Sequence, residues 1–124
     1  MCLIRITQMN STSLKPLSEA ELGALSQQLK KALQLMYGVQ LDQVILFGSY
    51  ARGDFRNDSD VDYLVVLKQD TVLFGQEVDK ISTIASQLGL DYTVHVSAKP
   101  VSATVYKEAN RLFYQAVHNE GIVV

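Results

Sequence analysis

Leu46-Phe47-Gly48-Ser49-Tyr50-Ala51-Arg52-Gly53, followed by Asp58-Ser59-Asp60-Val61-Asp62, is the stretch that decides how this chain is read. Gln43 to Phe47 is an apolar run of strand length that stops at Gly48. Glycine permits a tight turn and lets backbone approach a ligand closely. Ser49 is placed to cap a short helical turn beginning at Tyr50. Helix starts carry free N–H groups and suit phosphate, and the Arg52 guanidinium has a fork matched to phosphate oxygens. Asp60 and Asp62 head a second strand, Val61 to Leu67, whose apolar residues fall on both faces, as in a central strand covered twice.

Asp60 and Asp62 stand at i and i+2, so both point to one face with Cα atoms roughly 6.6–6.8 Å apart. Carboxylates brought together in this way repel unless a cation lies between them. Mg²⁺ suits such a place, taking one or two carboxylates and completing its shell with substrate phosphates. Taken singly, a Gly-Ser turn is usually only a turn, an Asp-x-Asp pair a solvated strand end, and an arginine a surface residue. Their order between two apolar strands is what gives them chemical meaning.

Further out, Ser18 and Glu21 form a capping box, with Leu17 and Leu22 as its hydrophobic staple. Leu22, Leu25, Leu29, Ala32, Leu33 and Met36 recur at helical spacing, and Gly38 ends the helix. Downstream, a helix from about Val72 to Leu88 buries Phe74, Val78, Ile81, Ala85 and Leu88, with Gly89 as its stop. Asp91 to Ala98 reads as a third strand broken by Pro100. Ser102 then caps a third helix carrying Val105, Ala109, Leu112, Phe113 and Ala116, which Gly121 closes. Ile122 to Val124 supplies a terminal edge strand. The predicted architecture is α/β: a small mixed sheet of three to four short strands packed with helices.

Gly48-Ser49-x-Ala-Arg-Gly followed by Ser59-Asp60-x-Asp62 resembles the signature of the DNA polymerase beta nucleotidyltransferase superfamily, and the short chain resembles its minimal nucleotidyltransferase branch. The resemblance implies the polymerase beta palm-like fold and a two-metal mechanism. Asp60 and Asp62 would hold Mg²⁺ (or Mn²⁺), and Gly48, Ser49, Arg52 and Ser59 would contact the nucleotide, ATP being expected. Members normally carry a third carboxylate on the strand after the second helix. Aligned from Gly89, Thr93 stands about where that acid belongs. Asp91 and His95 flank it on the same predicted strand face. Asp91 is the leading candidate for the third catalytic and metal-binding group, and His95 is the alternative base.

The chain has 124 residues, one cysteine (Cys2) and a formal charge of −2. Residues 1–16 read as an N-terminal tail and 17–124 as one nucleotidyltransferase domain, large enough to bury roughly two-thirds of its unfolded surface. A lone cysteine gives neither an internal disulfide nor metal-ligand spacing. The charge shows no global nucleic-acid-binding surface, leaving RNA as an acceptor only. No apolar run reaches transmembrane length, and a cytoplasmic location is the default expectation. The expected activity is transfer of a nucleoside monophosphate, AMP from ATP, to a protein or RNA hydroxyl. The family analogy adds a HEPN-type toxin partner, and the small size leaves room for oligomers. Two other readings compete: a non-catalytic nucleotide-binding regulatory subunit, and modification of a small molecule such as an aminoglycoside.

Overall fold

The computed structural model describes residues 15–68, 74–108 and 111–124. Residues 1–14 of the expected tail, with Cys2, lie outside the described residues, as do the expected helix start at Val72 and the core position Ala109. The first helix, α1, spans Glu19–Tyr37. Its capping box is complete: the Glu21 amide donates to Ser18 Oγ at 3.1 Å, and the Ser18 amide donates to Glu21 Oε1 at 2.9 Å. At the other end Gly38, at φ 54°, returns its amide to the Gln34 carbonyl. A single 3₁₀ turn, Gly38–Gln40, leads into β1, Leu41–Phe47, which starts two residues earlier than the apolar run alone predicts.

After β1 come one turn of helix, α2 (Ser49–Arg52), and the strand β2 (Val61–Leu67). Helix α3 is Phe74–Tyr92 and strand β3 is Val96–Ser102. The chain ends with α4 (Ala103–Glu108), α5 (Leu112–Glu120) and a two-residue β4 (Ile122–Val123). The strands form one mixed sheet in the order β3-β2-β1-β4. Pairing of β1 with β2 and with β4 is antiparallel, and pairing of β2 with β3 is parallel. The parallel pair needs a crossover, which α3 provides. Among the described residues no helix is long and apolar enough to cross a membrane.

β2 is the centre of the molecule, and all of it is buried except Asp62, which is half-buried. Its two faces feed two cores. Val61, Tyr63, Val65 and Leu67 pack with Leu25, Leu29 and Leu33 of α1 and Ile81, Ala85 and Leu88 of α3. Leu64 and Val66 pack with Ile45, Val101, Tyr106 of α4 and Val117 of α5. Helices therefore cover both faces, as the double apolar pattern of β2 requires. The alternation also sends Asp62 to the α4–α5 side, because it shares parity with Leu64 and Val66.

Three sequence-based boundaries are corrected. Helix α3 does not stop at Gly89 but runs to Tyr92. Gly89 is there because a Cβ would meet the Val94 carbonyl oxygen at 2.6 Å, and the Val94 amide bonds back to the Gly89 carbonyl at 2.9 Å. The reversal itself falls on Thr93, a β-branched residue at φ 56°. The strand expected at Asp91–Ala98 consequently begins at Val96, and it continues through Pro100. A proline is tolerated there because β3 is an edge strand, whose outward amides need no ladder partner. The single third helix is in fact two, α4 and α5, although Ser102 does cap the first, accepting from the Val105 amide at 3.2 Å.

Thr93 carries an unfavourable backbone, since left-handed φ costs an L-residue about 1–2 kcal/mol. Thr93→Gly should raise the unfolding free energy by about 1 kcal/mol, after the greater freedom of glycine in the unfolded chain is subtracted. Urea denaturation of the two proteins measures this directly.

Candidate active site

Two strand ends and a turn build the site. β1 ends at Phe47, which pairs with Asp62 of β2. The chain then turns at Gly48, at φ 76° and ψ −156°, and enters α2. The turn lies directly on the Asp62 carboxylate: a Cβ on Gly48 would sit 2.6 Å from Asp62 Oδ2. Only glycine leaves that oxygen its place. Gly48, not Ser49, is the N-terminal boundary of α2, and its carbonyl accepts the Ala51 and Arg52 amides at 3.1 and 3.0 Å. A four-residue helix contributes free first-turn amides and little macrodipole.

Tyr50 anchors the turn from below. It is buried, its ring stacks on Phe55 at 4.4 Å, and its hydroxyl accepts the Leu17 amide at 3.0 Å. Ser59 is occupied in the following loop, where Oγ accepts the Arg56 amide at 2.7 Å. Arg52 is held by two carboxylates: Nε bonds Asp54 Oδ2 and a terminal nitrogen bonds Glu120 Oε1, each at 3.1 Å. Those partners push its pKa up, with the Asp54 hydrogen bond first and Glu120 second. Arg52 thus joins the turn to the end of α5.

If Arg52 acts by holding the turn, Glu120→Gln should lower turnover to the same degree as Arg52→Ala. If the guanidinium instead served nucleotide phosphate directly, Glu120→Gln would leave nucleotide affinity unchanged or improve it. Steady-state kinetics of the two single variants separates the cases.

Asp60 and Asp62 are the paired carboxylates. The Asp62 carboxyl is pushed above its ordinary value, first by burial and then by the charge of Asp60. Lys99, His95 and Arg52 pull it back, in that order. Asp60 is half-exposed, and its Oδ1 stands 3.3 Å from Nδ1 of His95. Two neighbouring carboxylates, one of them raised by the other and pressed against a glycine turn, form a cradle suited to a divalent cation and phosphate oxygens.

The third member differs from expectation. Asp91 is in the last turn of α3, exposed, and accepts a bond from Gln87 Nε2 at 3.1 Å. Thr93 is in the reversal. Neither shares a strand face with the aspartate pair, because the strand begins after both. Of the three predicted residues only His95 is brought to the pair. The parallel register puts Ser97 beside Asp62 and Lys99 beside Leu64, so both belong to the face that carries Asp62. β3 contains no acid, and among the described residues no three His, Cys, Asp or Glu side chains form a metal-holding group. Ser97, Lys99 and Glu120 were not singled out from sequence. Only the register of a crossover-linked strand and the return of α5 reveal them.

Residues 26–123 match the nucleotidyltransferase domain family. The chain belongs to that family. This nucleotidyltransferase is 38% identical over 105 residues to a Methanocaldococcus jannaschii protein that carries the name protein adenylyltransferase MJ0141, covering 84% of this chain and 99% of the relative. A second protein of that organism, named protein adenylyltransferase MJ0604, is 35% identical over 94 residues, covering 75% of this chain and 87% of its own. Together they make this chain a minimal nucleotidyltransferase. In fold it is similar to a toxin–antitoxin crystal structure with AMP-PNP, at TM-score 0.56 and 21% identity over 79% of this chain and 70% of that one. A crystal structure of a variant MntA–HpeT toxin–antitoxin is similar at TM-score 0.53 and 20% identity, covering 88% and 72%. Nucleotidyltransferases of this family generally use divalent metal ions, which the Asp60–Asp62 cradle suits.

Proposed function

We propose that this nucleotidyltransferase moves AMP from Mg·ATP to a hydroxyl of a protein acceptor. The observation that carries the reading is the Asp62 carboxylate seated against the Gly48 turn with Asp60 beside it. Support for AMP and for a protein acceptor comes from the names of the two archaeal relatives. Asp60 and Asp62 would hold the metal ion, which would supply positive charge to offset that of the reacting phosphates. Ser49 and the amides at the start of α2 take phosphate oxygens. Arg52 and Ser59 keep turn and loop in shape.

In the reaction the acceptor oxygen bonds to the α-phosphorus, and the bond from that phosphorus to the bridging oxygen breaks. Pyrophosphate leaves, and the hydroxyl proton passes to a base. We assign that task to His95, which stands 3.3 Å from Asp60, rather than to Asp91, which bonds Gln87. His95→Gln should therefore slow transfer by about 10²–10⁴-fold, the usual worth of general base catalysis, while Asp91→Asn should be silent. A HEPN-type protein is the acceptor we favour, and toxin–antitoxin complexes of similar fold support a protein partner.

The test incubates the protein with ATP labelled at the α-phosphate, Mg²⁺ and a purified HEPN-type protein as candidate acceptor. The expected result is label on the partner, an AMP adduct by intact mass and release of pyrophosphate. Label from the γ-phosphate instead, or neither label nor pyrophosphate, would overturn the reading.

A further inference from the structure

Lys99 is the charged side chain on the site's face that neither the fold nor the aspartate pair accounts for. It is exposed, and among the described residues no carboxylate stands within ion-pair distance of it. Its strand position pairs with Leu64, one step along the same face from Asp62 and Ser97. The direction of its side chain is fixed by aromatic contacts. Nζ lies over the Phe113 ring, 5.8 Å from the centroid, and Phe113 packs edge-on against Phe47 at 5.4 Å. Phe47 is the residue paired with Asp62. The ammonium thus rests on the aromatic pair that adjoins the strand end carrying Asp62, a placement that cation–π attraction supports.

A second divalent ion in such a site needs a further anionic ligand beside the first two. The side chains that the β3 side brings to the pair are His95, Ser97 and Lys99, and none of them is a carboxylate. A fixed positive charge there repels a second cation and substitutes for it in neutralising phosphate. We infer that this nucleotidyltransferase takes one divalent ion, held by Asp60 and Asp62, and that the Lys99 ammonium supplies the second positive charge of the site. The inference rests on the reading of Asp60 and Asp62 as metal ligands.

The test counts ions without relying on turnover. Mn²⁺ is titrated by electron paramagnetic resonance into the protein saturated with AMP-PNP, with free AMP-PNP as the blank. One Mn²⁺ per nucleotide-loaded protein is expected, and two would overturn the inference while leaving the aspartate reading intact. No protein-bound Mn²⁺ would sink both. Ser97→Asp, which restores a carboxylate directly beside Asp62, should raise the count to two. Lys99→Met should weaken AMP-PNP binding by about 10- to 100-fold, the loss of one charged contact to phosphate, and Lys99→Arg should recover most of it. Unchanged affinity in a folded Lys99→Met protein would show that the ammonium does not serve the nucleotide, and would overturn its assignment.

Discussion

Asp62→Asn should give a protein that melts higher than the parent without metal and has lost transfer by on the order of 10²–10³-fold. Both effects have one origin. The Asp62 carboxyl is raised above its ordinary value by burial and by Asp60, so the fold holds the neutral form more comfortably than the charged one. A carboxyl with a raised folded-state pKa binds its proton more tightly folded than unfolded. Its ionisation therefore costs stability above the folded value, and that cost disappears as pH falls through the raised value toward the ordinary one. Asparagine keeps the shape and removes the charge. In chelator at neutral pH its midpoint should exceed the parent's by a few degrees at most, since Asp62 is only half-buried. At mildly acidic pH the gap should close. Adding Mn²⁺ and AMP-PNP should reverse the order, because the parent alone recovers the binding energy of the ion. Calorimetric melts in the three conditions check the sequence of midpoints. A lower midpoint for the variant in chelator would mean that the carboxylate holds the turn structurally.

Gly48→Ala should match that loss of transfer and have the opposite effect on stability. The added methyl would lie 2.6 Å from Asp62 Oδ2 and 3.4 Å from its Cγ. The carboxylate can rotate away, but only by leaving the position in which it faces the cradle. The backbone has no such escape: φ is 76°, where an L side chain costs about 1–2 kcal/mol. The expected protein is folded, less stable by about that amount, and weak in AMP-PNP binding. Denaturation and calorimetric titration on one preparation measure both. Full nucleotide affinity in the alanine variant would show that the turn has room to shift, and would remove Gly48 from the site.

The contrast between β2 and β3 shows what sequence could and could not convey. β2 was legible because its signal is local, seven residues apolar on both faces flanked by the polar Asp58-Ser59-Asp60. The start of α1 was legible for the same reason, since both halves of its capping box lie within four residues. Gly48, Asp60 and Asp62 follow from spacing along one strand–turn–strand unit. β3 was misplaced because two punctuating residues had other jobs: Gly89 admits the Val94 carbonyl inside a continuing turn, and Pro100 stands on an edge strand. That shift of boundary moved Asp91 away from the aspartate pair and left His95 beside Asp60. Ser97 and Lys99 depend on a parallel register set by the packing of α3, and Glu120 depends on the return of α5. Neither is written in any short window of residues.

The Arg52–Glu120 pair joins positions 68 residues apart. Proteins are made from the amino end, so the Gly48 turn, Asp60 and Asp62 leave the ribosome well before Glu120 does. A nascent chain that has just exposed Asp62 has yet to release α5, and of its two carboxylate partners Arg52 then has only Asp54 to hold. The turn gains its second tether when the end of α5 emerges, and β4 pairs with β1 in the same event. Pairing of β4 with β1 and fastening of the Gly48 turn through Glu120 are thus timed together.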